Sequence, residues 1–277
     1  MNKQTVASPH VTHWGLVALF TGAVAIAFAP IFVRLSEAGP VATAFYRIFL
    51  ALPALTIWLA MENRAPHRIH RRPQSWSDYS RLSLAGVFFA ADLGVWHWSI
   101  VLTSVANATL LANAAPVFVT LGGWLLWRQR CTSLFLTGMF AALLGMMVLM
   151  GESFTISLEH LGGDALGLLT AVFYASYILT VGRLRTEFST ATIMVWSGVG
   201  SALILFPVAI LSGDQMLVTS AFGWMILVGL ALVSHASGQS LIAFALAHLP
   251  ASFSSVGLLL QPAIAACLAW LVLWGRL

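Results

Sequence analysis

Residues 14–33 read WGLVALFTGAVAIAFAPIFV and contain no charged side chain. An apolar run of about 18 residues or more is long enough to cross the hydrocarbon core of a bilayer as a helix. The helix is required because lipid offers the backbone no hydrogen-bond partners. We therefore predict a membrane span at 14–33, and the same pattern recurs along the rest of the chain.

Eight further apolar stretches of similar length follow the first one. The nine predicted spans cover roughly 14–33, 40–60, 82–102, 105–127, 132–151, 164–182, 189–211, 221–246 and 251–274. The composition agrees, because 60% of the residues are hydrophobic and only 8% are charged, whereas soluble domains carry roughly 25% charged residues. The sequence thus predicts an all-α polytopic membrane protein and excludes the soluble globular class.

Lysine and arginine lie almost entirely in alternate loops. One face receives ten of the 13 basic residues, in the N-terminal tail 1–13, the 61–81 loop and the loops after the fourth and sixth spans. Because loops rich in lysine and arginine stay in the cytoplasm, the sequence predicts a cytoplasmic N-terminus. We interpret the basic 61–81 loop as a determinant of this orientation, with binding of anionic lipid as the alternative. The positive charge does not indicate a nucleic-acid partner.

The second half of the chain repeats the first at a nearly constant offset. Matched pairs are Leu19 with Leu168, Thr21 with Thr170, Arg34 with Arg183, Pro116 with Pro262 and Trp124 with Trp270. We predict a first five-helix repeat at 14–151, an external linker at 152–163 and a second repeat at 164–277. A unit with an odd number of spans inserts its second copy from the opposite side, which gives an inverted repeat. The second copy has only four predicted spans, so we expect the tenth helix to be missing here.

Two proline-containing segments carry a resemblance to a known family. Residues 108–118 read ATLLANAAPVF, and residues 258–262 read LLLQP ahead of Trp270. With the repeat, they resemble the drug/metabolite transporter superfamily, EamA-type permeases, and within these the YddG-like amino-acid exporters. The resemblance implies ten spans in two five-helix halves, cytoplasmic termini, a bacterial inner membrane and outward movement of small metabolites. Many relatives carry Glu-Pro where Gln261-Pro262 stands, so no carboxylate role is transferred to that position.

Four ionisable side chains fall inside the predicted spans: Arg47, Asp92, His97 and His235. An ionisable group inside a membrane is costly unless it is paired or hydrated, so each is a functional candidate. Consecutive antiparallel helices often pack together, which makes Arg47 and Asp92 the natural ion pair. The pair either pins the second span to the third or takes part in substrate or proton handling.

Helical spacing indicates a polar cavity wall. His235 and Gln239 are four residues apart and share a face of the eighth span. Asn113 and Gln261 lie in the fourth and ninth spans, beside Pro116 and Pro262. Prolines at corresponding places in two repeats are typical of discontinuous helices near a binding site, although a plain packing kink is the alternative.

Aromatic side chains extend the candidate site. Tyr174 and Tyr177 share a face of the sixth span, where they either line the cavity or only pack against neighbouring helices. His97 is a further candidate for substrate contact. Trp98 lies nearer the outer interface, where tryptophan commonly anchors a helix, so both an anchor and a cavity position are open.

These features favour a transporter that exports small amphipathic metabolites, in particular aromatic and other neutral amino acids, by alternating access. A passive channel or structural membrane protein is the alternative, followed by an intramembrane enzyme using His97, Asp92 and His235. The H-E-x-x-H spacing of a zinc enzyme is absent from the sequence. We expect no catalytic residues, metal or cofactor, a cavity without an unpaired fixed charge, and a monomer or weak homodimer in the bilayer. Proton coupling and facilitated diffusion are both open.

Overall fold

A computed structural model describes residues 9–65, 70–151 and 158–273. Residues 1–8 of the predicted tail, 152–157 of the predicted linker and 274–277 of the predicted second repeat lie outside the described residues. All regular structure in the described ranges is helical. The α-helices are α1 (Pro9–Ala27), α2 (Ala29–Leu35), α3 (Pro40–Phe49), α4 (Leu52–Arg64), α5 (Trp76–Leu102), α6 (Val105–Ala112), α7 (Ala115–Trp127), α8 (Ser133–Met150), α9 (Leu161–Leu184), α10 (Thr190–Leu211), α11 (Ala221–Gly229), α12 (Ser240–Ala245), α13 (Ala251–Gly257) and α14 (Leu260–Leu273).

Most of these helices join into segments that can cross a membrane. Seven segments are long and apolar enough: His13–Leu35, Pro40–Arg64, Trp76–Leu102, Asn107–Trp127, Leu161–Leu184, Thr190–Leu211 and Ala221–Ala245. Two shorter apolar helices, Ser133–Leu149 and Ala251–Ala265, lie where the fifth and ninth spans are predicted. The prediction of an all-α polytopic membrane fold is confirmed.

Polar side chains begin several of the helices. Ser75 and Asp78 form a capping box at the start of α5, in which each side chain accepts a hydrogen bond from the other residue's backbone N–H. Ser104, Ser189 and Ser220 cap α6, α10 and α11 with their hydroxyl groups. Such caps satisfy backbone donors that have no partner within the first turn.

Four spans are interrupted just before a proline. The breaks lie at Phe28 before Pro30, at Leu50–Ala51 before Pro53, at Asn113–Ala114 before Pro116 and at Leu258–Leu259 before Pro262. Proline donates no backbone hydrogen bond, and its ring clashes with the carbonyl group four residues earlier. The breaks at Pro116 and Pro262 match the predicted ones, whereas those at Pro30 and Pro53 were not predicted. Pro207 lies inside the uninterrupted α10.

A π-helix, Leu230–Gln239, joins α11 to α12 in the eighth span. We expected α-helical spacing between His235 and Gln239, so the structure differs from the prediction here. The wider turn bonds each residue to one five positions away, and such segments are frequent at functional sites. Ser234 of this segment donates a hydrogen bond to the carbonyl group of Ala25 at 3.0 Å, which fixes the π-helix against α1.

Spans of the two halves of the chain pack along one another. The third span, α5, lies along the sixth, α9, and the eighth span lies in the same way along the first, α1. The seventh span, α10, packs against α3, α4 and α5. Gly86 allows close contact there, because a Cβ atom on it would lie 2.2 Å from the carbonyl oxygen of Ser197.

Carboxylates join loops at the two ends of the bundle. At one end, Glu187 accepts hydrogen bonds from Arg71 and Arg81, each at 2.6 Å. At the other end, Glu37 accepts a hydrogen bond from the hydroxyl group of Ser220. Each carboxylate therefore joins the loop between two spans to a loop of the other half of the chain.

Candidate functional site

Side chains from four spans meet in the interior of the bundle. The second span contributes from the last turn of α3, the third from the middle of α5, the sixth from α9 and the eighth from the π-helix. We call this set the central cluster: Arg47, Phe89, Asp92, Tyr174, Tyr177, His235 and Gln239.

Phe89 is the centre of an aromatic stack. Its ring centroid lies 4.9 Å from that of Tyr177. The imidazole of His235 stacks on the same ring at 5.6 Å and 30°. Tyr174 extends the stack, nearly parallel to Tyr177 at 6.2 Å. Offset stacking at these distances is favourable and presents flat apolar surface.

One hydrogen bond joins the sixth and eighth spans inside the cluster. The Nε2 atom of Gln239 donates to the hydroxyl oxygen of Tyr177 at 3.2 Å, and both side chains are 2% exposed. The bond fixes the orientation of the tyrosine ring and leaves the amide oxygen of Gln239 as an acceptor. The predicted face of His235 and Gln239 thus points into the bundle.

His235 is fully enclosed but unsatisfied. Its side chain is buried, and neither ring nitrogen has a hydrogen-bond partner within the described part of the chain. Buried polar atoms in proteins are nearly always bonded, so such an atom needs an explanation. A neutral imidazole has one donor and one acceptor, and both are free to bind a ligand.

Arg47 lies above the Phe89 ring, with Cζ 5.9 Å from the ring centroid. Its Nε atom is buried and has no hydrogen-bond partner among the described residues. Asp92 follows Phe89 by one turn of α5, on the face that Arg47 covers, so Arg47 and Asp92 lie near one another. In the described ranges, however, no hydrogen bond and no ion pair within 4.0 Å joins them. The two residues of the predicted ion pair are therefore not in direct contact in this structure.

Arg47, Asp92 and Tyr174 are half-buried. The cluster thus brings a guanidinium group, a carboxyl group, an imidazole and stacked aromatic rings together in the interior of the bundle.

The predicted amide residues Asn113 and Gln261 lie at helix breaks and make no hydrogen bond to the central cluster in the described structure. Asn113 ends α6, and its Nδ2 atom donates to the carbonyl group of Thr109 at 2.8 Å. Gln261 lies in the first turn of α14, and its Nε2 atom is buried without a partner in the described residues. Pro262 directly follows Gln261, and Pro116 comes three residues after Asn113.

Trp98 and His97 complete the predicted site residues. The side chain of Trp98 is 57% exposed, which favours the anchor over the cavity position. The backbone of His97 is part of α5, and its side chain lies outside the described residues. Phe89 was not predicted, because an apolar side chain does not stand out from the other residues of a membrane span. A signal existed, since Phe89 precedes Asp92 by one helical turn and shares its face.

The site offers little to a metal ion. Over the described residues, no group of three or more His, Cys, Asp or Glu side chains converges on one point. The chemistry available is hydrogen bonding, charge attraction and stacking, all of which bind a small molecule reversibly.

Comparison with known proteins adds independent information. The sequence profile of the EamA-like transporter family matches residues 13–151 and, separately, residues 161–277. Two similar proteins of Archaeoglobus fulgidus are described as uncharacterized transporters. One is 25% identical over 185 residues, which are 65% of this chain and only 61% of the relative. The other is 24% identical over 229 residues, 79% of this chain and 74% of the relative.

A solved structure shares the fold. A crystal structure of a protein 17% identical to this chain superposes with a TM-score of 0.77, covering 96% of this chain and 89% of the other. At this identity the likeness concerns the fold alone. Because the family profile covers nearly the whole sequence, the chain belongs to the EamA-like transporter family of the drug/metabolite transporter superfamily and is a multi-pass membrane protein.

Proposed function

We propose that this transporter exports small amphipathic metabolites, most of all aromatic and other neutral amino acids, through the central cluster. The observation that carries the proposal is His235, a buried imidazole stacked on Phe89 whose two nitrogens have no hydrogen-bond partner among the described residues. The Tyr177–Gln239 hydrogen bond lies beside it. Stacked rings accept a flat apolar side chain, and the unused polar atoms accept the charged groups of an amino acid.

Alternating access between the two halves would move the substrate. We propose repeats at 14–151 and 164–277 in inverted orientation, as the sequence predicts. The two separate family matches support this division, and so does the equivalent packing of third on sixth and eighth on first spans. The breaks before Pro116 and Pro262 serve as hinges, because a broken helix can move one half against the other.

We place the protein in a bacterial inner membrane with its N-terminus in the cytoplasm. The support is the basic charge of the loops after the second, fourth and sixth spans. A reporter that is active only in the cytoplasm, fused after residue 65 and in a second strain after Gly213, tests the orientation. Activity at the first site alone agrees with it, and activity at the second site alone reverses it.

Counterflow into proteoliposomes tests the transport function. Vesicles loaded with unlabelled phenylalanine are diluted into a trace of labelled phenylalanine, and label uptake is followed. A carrier with alternating access concentrates the label transiently above equilibrium and saturates with substrate. A passive channel only equilibrates the label, and a structural protein gives the rate of empty vesicles. Either of these results overturns the proposal.

A further inference from the structure

We infer that Arg47 and Asp92 form a divided receptor for one zwitterion, with the guanidinium binding a substrate carboxylate and the Asp92 carboxylate binding the ammonium group. This inference rests on the proposed function and adds to it which atoms of the substrate are recognised. It replaces the expected structural ion pair by a site that the substrate completes.

Arg47 and Asp92 do not contact one another directly in the described structure. A buried charge is costly unless it is paired and hydrogen-bonded. Arg47 is buried at Nε without a partner, and no ion pair within 4.0 Å reaches it in the described part of the chain. Asp92 follows Phe89 by one turn of α5 and so shares the face of the ring that Arg47 covers. A group placed between the two would therefore satisfy both.

The charges of Arg47 and Asp92 balance one another. One cation and one anion leave the pair neutral, so a neutral ligand keeps the enclosed site neutral. A free amino acid has both complementary charges on neighbouring atoms of one molecule. A simple carboxylic acid would bind Arg47 and leave Asp92 without a partner, and a simple amine would bind Asp92 and leave Arg47 without one. Either compound therefore leaves one charge unpaired at low dielectric.

Aromatic rings lie near the guanidinium group of Arg47. Phe89 holds the guanidinium over its face at 5.9 Å, and an arginine fork can bind a carboxylate through two parallel hydrogen bonds. The stack of Tyr174, Tyr177 and His235 begins at the same phenylalanine ring. A substrate with its charged end between Arg47 and Asp92 can thus lay an apolar side chain on that stack.

Four related compounds separate the parts of the recognition. Phenylalanine has both charges, phenylalaninamide and phenethylamine lack the carboxylate, and 3-phenylpropanoate lacks the ammonium group. Each is tested on the purified wild-type protein as a competitor of counterflow and as a ligand that raises the melting temperature. We expect phenylalanine to act at concentrations at least about tenfold lower than any of the other three.

Variants assign the two charges. Arg47→Gln should reverse the order so that the two cationic compounds bind better than phenylalanine, and Asp92→Asn should favour 3-phenylpropanoate. The neutral double variant Arg47→Gln with Asp92→Asn removes both arginine and carboxylate charges from the central cluster and should bind all four compounds similarly. It also controls for a single variant that fails to fold.

The outcomes distinguish this inference from the proposed function. Equal action of phenylalanine and phenylalaninamide on the wild-type protein overturns the zwitterion receptor, even when counterflow occurs. Zwitterion preference that persists in the double variant overturns the assignment to Arg47 and Asp92. Selective binding of phenylalanine without counterflow supports the receptor and contradicts transport.

Discussion

Glu37 and Glu187 occupy matching positions in the two halves of the chain, each two residues before the N-cap of the next helix, Gly39 or Ser189. Glu37 binds Ser220, which is the N-cap of the eighth span. Glu187 binds arginines on either side of the start of the third span. The same device thus joins equivalent loops at opposite ends, which agrees with an inverted repeat.

Acid should weaken the contact at Glu187. Hydrogen bonds from Arg81 and then Arg71 hold the pKa of the Glu187 carboxyl at about 2, below its ordinary 4.5. A carboxylate with a lowered pKa in the folded state stabilises the fold above its unfolded pKa and loses that contribution as pH falls. We expect the wild-type melting temperature to fall between pH 4.5 and 2, and to fall less in Glu187→Gln. Because Glu187 and its arginine partners are partly exposed, the difference in melting temperature between the two proteins should be small. Identical pH profiles of the wild type and Glu187→Gln contradict a stabilising contact at Glu187.

The close approach of α5 and α10 should reject a methyl group. Gly86→Ala would place Cβ 2.2 Å from the Ser197 carbonyl oxygen, so we expect a loss of about 1–3 kcal/mol in unfolding free energy. Gly94→Ala in the same helix is the matched control, because a Cβ atom there meets nothing within 4 Å. Unfolding in detergent measures both variants. Equal stability of Gly86→Ala and Gly94→Ala is incompatible with the packing described.

The hydrogen bond between Tyr177 and Gln239 should show coupling. Tyr177→Phe leaves the buried Nε2 atom of Gln239 without its acceptor, which costs about 1–3 kcal/mol. The double variant Tyr177→Phe with Gln239→Leu removes both partners and should be less destabilised than the sum of the single variants. Additive losses in the thermal unfolding of the three variants would show that the two side chains do not interact.

The proline breaks should matter for transport more than for folding. Pro116→Ala and Pro262→Ala each allow a continuous helix, so we expect several-fold slower counterflow with the folded protein retained. Pro207→Ala is the control, since Pro207 lies in the uninterrupted α10 with its side chain exposed. Wild-type counterflow in Pro116→Ala and Pro262→Ala would remove the hinges from the mechanism.

The fold class was predictable from sequence because a bilayer imposes one strong rule. Every long apolar run must be helical in lipid, so runs such as 14–33 predict their own structure. Proline adds local information, and the interruptions before Pro116 and Pro262 follow from it. Pro207 shows the limit of that information, because a proline can also remain inside a continuous helix when its surroundings accommodate it.

The details of the site depend on tertiary packing that no single run contains. The spacing of apolar residues around His235 does not predict the π-helix, because a short π-helix and an α-helix have similar hydrophobic periods. The separation of Arg47 from Asp92 depends on how two spans are placed by their neighbours. Phe89 became part of the site only through its contacts with the sixth and eighth spans.

The most direct test of the central cluster is phenylalanine counterflow by His235→Ala beside Thr137→Ala. His235 stacks on Phe89 inside the cluster, whereas Thr137 is exposed on α8 and bonds only to its own helix at Leu134. We expect His235→Ala to lose at least about tenfold in rate at subsaturating substrate while remaining folded, and Thr137→Ala to match the wild type. Equal counterflow by His235→Ala, Thr137→Ala and the wild type would contradict the assignment of the substrate site.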